Sequence, residues 1–504
     1  MNMKRRDALA RDINLEDITS SNNNAEVLQR LRDNDRRWGF QDTLFIEEAY
    51  DGNDDGDDMV FMISEGDDLG WLGYFIGRNQ SLDALAIHFL PQERERVDAF
   101  IKGVNYNRSL REFSLVYPMD LGLHNLCSFF RDNNNLRSIH LCRSQIGREC
   151  AHELALALSQ RQAQSLMQLD FINNNLDDEG FAEIVQALWT QPQLDRLLCS
   201  SNNIGRISCE ALGALMRERM TNLTRLHLPN SGIDDACLQA LVPGFCSSNN
   251  LEVMSISDPI TAVGLRSLSP FLQSDSCILG DLNIILRLGY AEAAALVDAL
   301  KGNKSSSTVN LLRNATDAGW SEFSKLLCDT SSINNTYLSN HNLTHIGAPN
   351  DMDDTPTHVT DLLEMNAAAA AQSSNMRNRE IAMQSLTRCK IFMSHPDLDM
   401  EPLFVYKLKC LPLVAEWFRT SIQLCSDEVG SWKESVPELE SRELSAVYKF
   451  VRDMPLLVSD GYWTNVLNDS RAKKQRLQEE KRKLEMMLQR ADENEKCAMK
   501  RLRR

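Results

Sequence analysis

Apolar residues in the order L-x-x-L-x-L return about every 28 residues through the middle of the chain. Ten copies align, starting at Leu82, Leu110, Leu136, Leu166, Leu194, Leu223, Leu251, Leu279, Ser306 and Ile333. Successive starts lie 28, 26, 30, 28, 29, 28, 28, 27 and 27 residues apart. A period of this length marks a solenoid, in which each unit buries its apolar face against its neighbours.

The unit from Leu166 to Leu176 is the clearest. Leu166, Leu169 and Phe171 are its inward positions, and the alternation at Leu169 and Phe171 predicts a short strand. Asn174 falls where the chain must turn, and its amide can bond the backbone groups that a turn leaves unpaired. Asn202 and Asn314 hold the equivalent place, with Ser144 and Ser231 as polar substitutes and Pro118 and Pro259 interrupting the series. After Leu176, Asp177-Asp178-Glu179 puts acid at a helix start, where the helix dipole favours it. Phe181, Ile184, Val185 and Leu188 then form an amphipathic stripe. Asp234-Asp235 before Leu238, Leu241 and Val242 repeats the scheme, as does Ala291 to Leu300. One strand and one helix per unit predict an α/β horseshoe, with parallel strands inside and helices outside.

The pattern L-x-x-L-x-L-x-x-N-x-L, seen from Leu166 to Leu176 and, with Cys199 in a Leu place, from Leu194 to Ile204, resembles the ribonuclease-inhibitor-like leucine-rich-repeat family. The Ran GTPase-activating proteins share this repeat class. The resemblance covers residues 82 to about 345, roughly half of the chain. It implies the fold and leaves the partner open, because one fold hosts many functions.

Length and charge narrow the picture further. A chain of 504 residues need not split into domains if it is a solenoid, which grows linearly. A formal net charge of −17 opposes general nucleic-acid binding. The 13 cysteines have no metal-like or framework spacing, and several, such as Cys199 and Cys237, replace core aliphatics. We therefore expect reduced, buried thiols in a cytoplasmic or nuclear protein. No apolar stretch follows Met1 to Arg6, so no secretory signal is expected. No apolar run approaches the ~20 residues of a spanning helix, so no membrane partner is expected.

Outside the repeats, residues 1–81 read as a polar segment, partly disordered over its first 40 positions, with a capping hairpin of strands Thr43–Glu47 and Met59–Ile63 around an acidic turn. Residues 346–380 read as a linker, though the run Ala367–Ala371 is also compatible with a short helix. Residues 381–463 read as a helical region with Phe404, Trp417 and Phe418 as apolar bulk, expected to be either a cap on the last repeat or a docking module. The tail, 466–504, reads as a charged helix and holds 13 Lys/Arg against 7 Asp/Glu. Leu477, Leu484, Ala491 and Ala498 recur at seven residues, but Lys474, Lys481 and Glu495 spoil the companion seam, so a weak coiled coil and a solvated basic helix stay open.

Catalytic and metal motifs give little. Asp51-Gly52-Asn53-Asp54-Asp55-Gly56 opens like a calcium loop, but the twelfth position is Met62 where a carboxylate is needed. Lys301-Gly302-Asn303-Lys304-Ser305 lacks the upstream Gly of a phosphate loop and follows a helix. The nine His show no zinc spacing, and neither catalytic residues nor a cofactor or metal site is expected.

The outward positions of L-x-x-L-x-L carry more. In units two to six they place Arg111, Arg137, His140, Arg143, Arg196, Arg225 and His227 on the concave face, interrupted by Asp170 and Asp195. On a chain of net −17 this local basic patch predicts an acidic protein partner, steered by long-range attraction. The leading function is thus a non-catalytic interaction scaffold. The alternative is a GTPase-activating protein of the Ran type, in which an Arg would act on the GTPase. Against it, Ran activators typically end in an acidic tail, whereas this chain ends in Lys500-Arg501-Leu502-Arg503-Arg504.

Overall fold

A computed structural model describes residues 3–19, 21–35, 43–48, 59–116, 123–257, 259–313, 315–347, 355–371, 386–387, 390–391 and 394–395. The putting of acidic residues 51–56, of Pro118 and Asn314, of Phe404, Trp417 and Phe418, and of the tail 466–504 lies outside these described residues.

Among the described residues, twelve strands form one sheet in which every pairing is parallel. They are β1 (Thr43–Glu48), β2 (Met59–Ile63), β3 (Ala84–Ile87), β4 (Glu112–Val116), β5 (Ser138–Cys142) and β6 (Gln168–Ile172), followed by β7 (Arg196–Ser200), β8 (Arg225–His227), β9 (Val253–Ser257), β10 (Asp281–Arg287), β11 (Thr308–Arg313) and β12 (His345–Gly347). From β3 to β12 the spatial order is the chain order, and helices connect most successive strands. This is the leucine-rich-repeat architecture that the period predicts. Leu169, Leu226 and Leu282 are completely buried, in one continuous core between strands and helices. Of the strands, β8 is the shortest in the run from β3 to β11, and Pro229 behind it has no N–H to continue the ladder.

The N-terminal expectations need correction. Residues 3–9 and 22–33 are helices, and Val27, Leu28 and Leu31 of the second are buried. Strands β1 and β2 run parallel and form no hairpin. The chain passes outward from β1 to β2, then returns through the helix Leu69–Arg78 to place β3 on the other side of β1. The edge strand β2 is closed by Asn24: its amide donates to the Met62 carbonyl at 2.7 Å and accepts from the Met62 N–H at 2.9 Å. A side chain thus takes the place of a further strand, which blunts an open sheet edge.

The last repeat also moves. Ile333, 44% exposed, starts a short inserted helix, Ile333–Tyr337, and Leu338, its C-cap, is 61% exposed. The inward positions of that unit are instead Leu343, just before β12, and Ile346 within it, both buried. Within 346–380, Thr357–Ala371 is a helix whose Val359 and Leu363 join the core.

Side-chain amides tie the units together at both ends of the strands. At the exit, Asn174 donates to the Leu141 carbonyl at 2.7 Å and accepts from Ser144 N–H at 2.7 Å. Asn202 accepts from the N–H groups of Asn174 and Leu176 at 3.0 and 3.1 Å and donates to the Phe171 carbonyl at 3.0 Å. Ser231 donates to the Cys199 carbonyl at 2.6 Å, so a serine serves in the same place. Pro259 lies in an exposed turn. A second amide series, absent from the sequence expectations, stands three residues before the first Leu. Asn107 accepts from Leu110 N–H at 2.9 Å and donates to the Ile76 carbonyl at 2.7 Å. Asn303 and Asn340 repeat this, accepting from Ser306 and Leu343 N–H at 2.8 and 3.1 Å.

The paired acids divide their work between two helices. Asp177 caps its own helix, accepting from Gly180 N–H at 2.8 Å. Asp178 reaches the next unit and accepts from the N–H groups of Gly205, Ser208 and Ile207 at 2.9, 2.8 and 3.0 Å. Asp234 likewise caps its own helix through Cys237 N–H at 2.8 Å, while Asp235 accepts from Thr261 N–H of the following unit at 2.8 Å.

Candidate protein-interaction surface

Strand alternation puts residues 138, 140 and 142 of β5 on the face opposite the core positions Ile139 and Leu141. The parallel register then builds rows across the sheet. One row runs Ser138, Gln168, Arg196, Arg225 and Val253. The next runs Ser114, His140, Asp170, Leu198, His227 and Ser255. A third holds Val116, Cys142, Ile172 and Ser200. Neighbouring members stand on strands about 4.8 Å apart, close enough to act on one ligand.

Of the seven basic residues expected here, His140, Arg196, Arg225 and His227 stand in these rows, while Arg111, Arg137 and Arg143 flank the strands. His140 Nδ1 lies 2.7 Å from Asp170 Oδ2, and Arg196 Nε lies 3.4 Å from Asp170 Oδ1. The second contact is an ion pair without hydrogen-bond geometry. Asp170 is only 4% exposed and is engaged by both side chains, so the Arg196 charge is compensated in place. Arg111 pairs with Asp83 at 3.4 Å on the surface. His227 Nδ1 lies 2.7 Å from Ser255 Oγ, and burial, then Arg196, pull the His227 pKa down while Asp170 opposes them. His227 is therefore more strongly held neutral than a free histidine. Asp195 is engaged by the Thr224 hydroxyl, which donates to it at 2.6 Å.

Arg137, Arg143 and Arg225 remain. All three are exposed, and none has an ion pair among the described residues. Arg137 stands at the entry of β5, Arg143 just past its exit and Arg225 at the start of β8. Arg143 holds a left-handed backbone, φ +54°, as do Asn173, Ser201 and Asn230 at the same place in the three following units.

Sequence reasoning missed the apolar middle of the patch. Ile172 is exposed, and Leu198 and Cys142 are partly exposed, between the cationic margins. The available signal was an apolar residue in an outward place directly after an inward one, as in Phe171-Ile172 and Leu197-Leu198. Among the described residues no cluster of His, Cys, Asp and Glu could hold a metal, and no helix is long and apolar enough to cross a membrane.

No family model matches the chain. It is similar to the NACHT, LRR and PYD domains-containing protein 3 of Mus musculus, at 26% identity over 35% of this chain and 20% of that protein. The Macaca mulatta protein of the same name matches at 26% identity over 33% of this chain and 19% of its own length. The chain thus spans about a fifth of the curated relatives it matches. A solved structure, the complex of Rad7 and Elc1 in yeast, aligns at 17% identity over 63% of this chain and 76% of that one, with a TM-score of 0.36. The relatives carry LRR in their name, which agrees at the coarse level of repeat class with the sheet described above.

Proposed function

We propose that this chain is a non-catalytic scaffold that holds an acidic protein partner against the open face of the sheet between β5 and β8. The carrying observation is the set of three exposed guanidiniums, Arg137, Arg143 and Arg225, without ion pairs among the described residues, on a chain of net charge −17. Rim charges of this kind act chiefly on the association rate and its salt dependence. His140 and Arg196, both held by Asp170, fix the shape of the surface between them. Similarity to leucine-rich-repeat proteins supports the scaffold reading, since the class presents extended binding surfaces.

The test replaces Arg137, Arg143 and Arg225 together by Glu and compares capture from lysate at low and physiological salt. Loss of the wild-type partners, with the fold unchanged by circular dichroism, supports the reading. Unchanged capture with unchanged kinetics overturns it. The second reading, GTPase activation of the Ran type, rests on the same unpaired guanidiniums, Arg143 above all, because an exposed Arg at a strand-end turn has the placement a finger needs. Acceleration of GTP hydrolysis by any captured GTPase, lost in Arg143→Gln, would establish it over the scaffold.

A further inference from the structure

We infer that the partner meets this face through an extended segment of the form acid-x-apolar-x-acid, its apolar side chain over Leu198 and Ile172 and its two carboxylates on Arg225 and Arg143. This rests on the scaffold reading above and specifies the chemistry that the site accepts.

The argument starts from the rows. Leu198 and Ile172 lie on adjacent strands, one two residues further along than the other, so they form a diagonal apolar step on the open face. Arg225 stands one strand beyond Leu198 and two residues earlier, about 8 Å away at ordinary strand spacings. Arg143 lies on the opposite side of Ile172, and its N–H donates to the Ile172 carbonyl at 2.8 Å. The four residues therefore run along one diagonal: cation, apolar, apolar, cation. An extended chain shows alternate side chains to one face, so residues i, i+2 and i+4 span about 13 Å. Flexible Arg side chains cover the remainder at each end.

Asp170 does not oppose this arrangement. It is nearly fully buried, hydrogen-bonded to His140 and ion-paired with Arg196, so its charge is already compensated before a carboxylate arrives. The apolar step supplies what charge alone lacks. A desolvated anchor ringed by charge is the usual form of an energetic centre in an interface, and opposite charges at its margin fix register.

The probe is a fluorescein-labelled peptide carrying Glu-Ser-Leu-Ser-Glu, measured by polarisation against the full chain. Three companions are measured with it: Leu replaced by Ser, both Glu replaced by Gln, and the shuffled order Glu-Glu-Leu-Ser-Ser. The parent should bind at least tenfold more tightly than each companion, and Arg143→Gln with Arg225→Gln should remove that preference. Ile172→Thr should weaken the parent without changing the Leu-to-Ser companion. Equal binding of parent and shuffled peptides overturns the inference, as does a preference that survives the double variant, or no binding of the parent at millimolar peptide. If the triple Glu variant loses its lysate partners while parent and shuffled peptides bind alike, the scaffold reading stands and this inference falls.

Discussion

At the scale of single residues, Arg143 shows a conflict between backbone and side chain. A left-handed backbone costs an ordinary residue roughly 1–2 kcal/mol and costs Asn less. Two of the three equivalent places downstream carry Asn, and the third Ser. Arg143→Asn is thus expected to raise stability by up to about 1 kcal/mol in denaturant unfolding, because Asn accepts this region more readily. Arg143→Gln, equally uncharged, should bring no such gain. Both variants should slow association with the partner, which separates the backbone effect from the loss of charge. A stabilising Gln variant would show that the side chain, not the backbone, carries the strain. The residues of the patch were legible only in part. Their outward placement follows from alternation, and the cations were visible as such. That Asp170 holds His140 at 2.7 Å depends on the register between two units, which no local pattern encodes.

At the scale of elements, the unit is held by its neighbour as much as by itself. Leu226 is completely buried, so Leu226→Ala is expected to cost about 2–5 kcal/mol through the cavity it leaves, measured as a lowered unfolding midpoint. Asp178 is a sharper test of coupling, because it caps the helix Arg206–Glu218 of the following unit. Burial alone would raise its pKa, but hydrogen bonds from Ser208, Ile207 and Gly205 outweigh burial and hold it below the usual value. The charged form is therefore favoured in the folded state. Its contribution is fully present above the unfolded value, about 3.9, and is lost as pH falls through the lower folded value. Asp178→Ala should cost about 1–2 kcal/mol at pH 7, as for loss of a helix cap, and the gap to wild type should close below about pH 4. A gap independent of pH would mean that lost packing, not the charged cap, is responsible. The repeat elements were legible from Leu82 through Ser306 because all three inward positions agree there. The tenth was misplaced because Ile333 and Leu338 satisfy the spacing while sitting on an insertion. The amide at three residues before the first Leu, present at Asn79, Asn107, Asn133, Asn303 and Asn340, carries the information that would have found Leu343.

At the scale of the whole sheet, a solenoid has two ends to close, and here the devices differ. The N-terminal edge uses Asn24 on β2. Beyond the last strand, Asn366 of the helix Thr357–Ala371 donates to the Leu343 carbonyl at 2.6 Å, extending the amide series past the sheet. Lys390 then closes over it, its Nζ donating to Asn366 Oδ1 at 2.7 Å and the Leu327 carbonyl at 2.9 Å, with His341 Nδ1 at 3.3 Å. Lys390 is fully buried, and burial drops its pKa from 10.5 to about 7 with Cys328 opposing; burial and Lys390 together depress His341 to about 3. A lysine depressed on folding binds fewer protons in the folded chain than in the unfolded one across that interval. Stability of the C-terminal unit should therefore rise as pH increases from about 7 to 10.5 and level off above it. Hydrogen-exchange protection of Thr357–Ala371, corrected for intrinsic rates, is the measurement. Lys390→Met should flatten the rise, even though it leaves the Leu327 carbonyl and Asn366 Oδ1 without their donor and lowers protection at the alkaline end. An unchanged slope in that variant would assign the pH response to other groups.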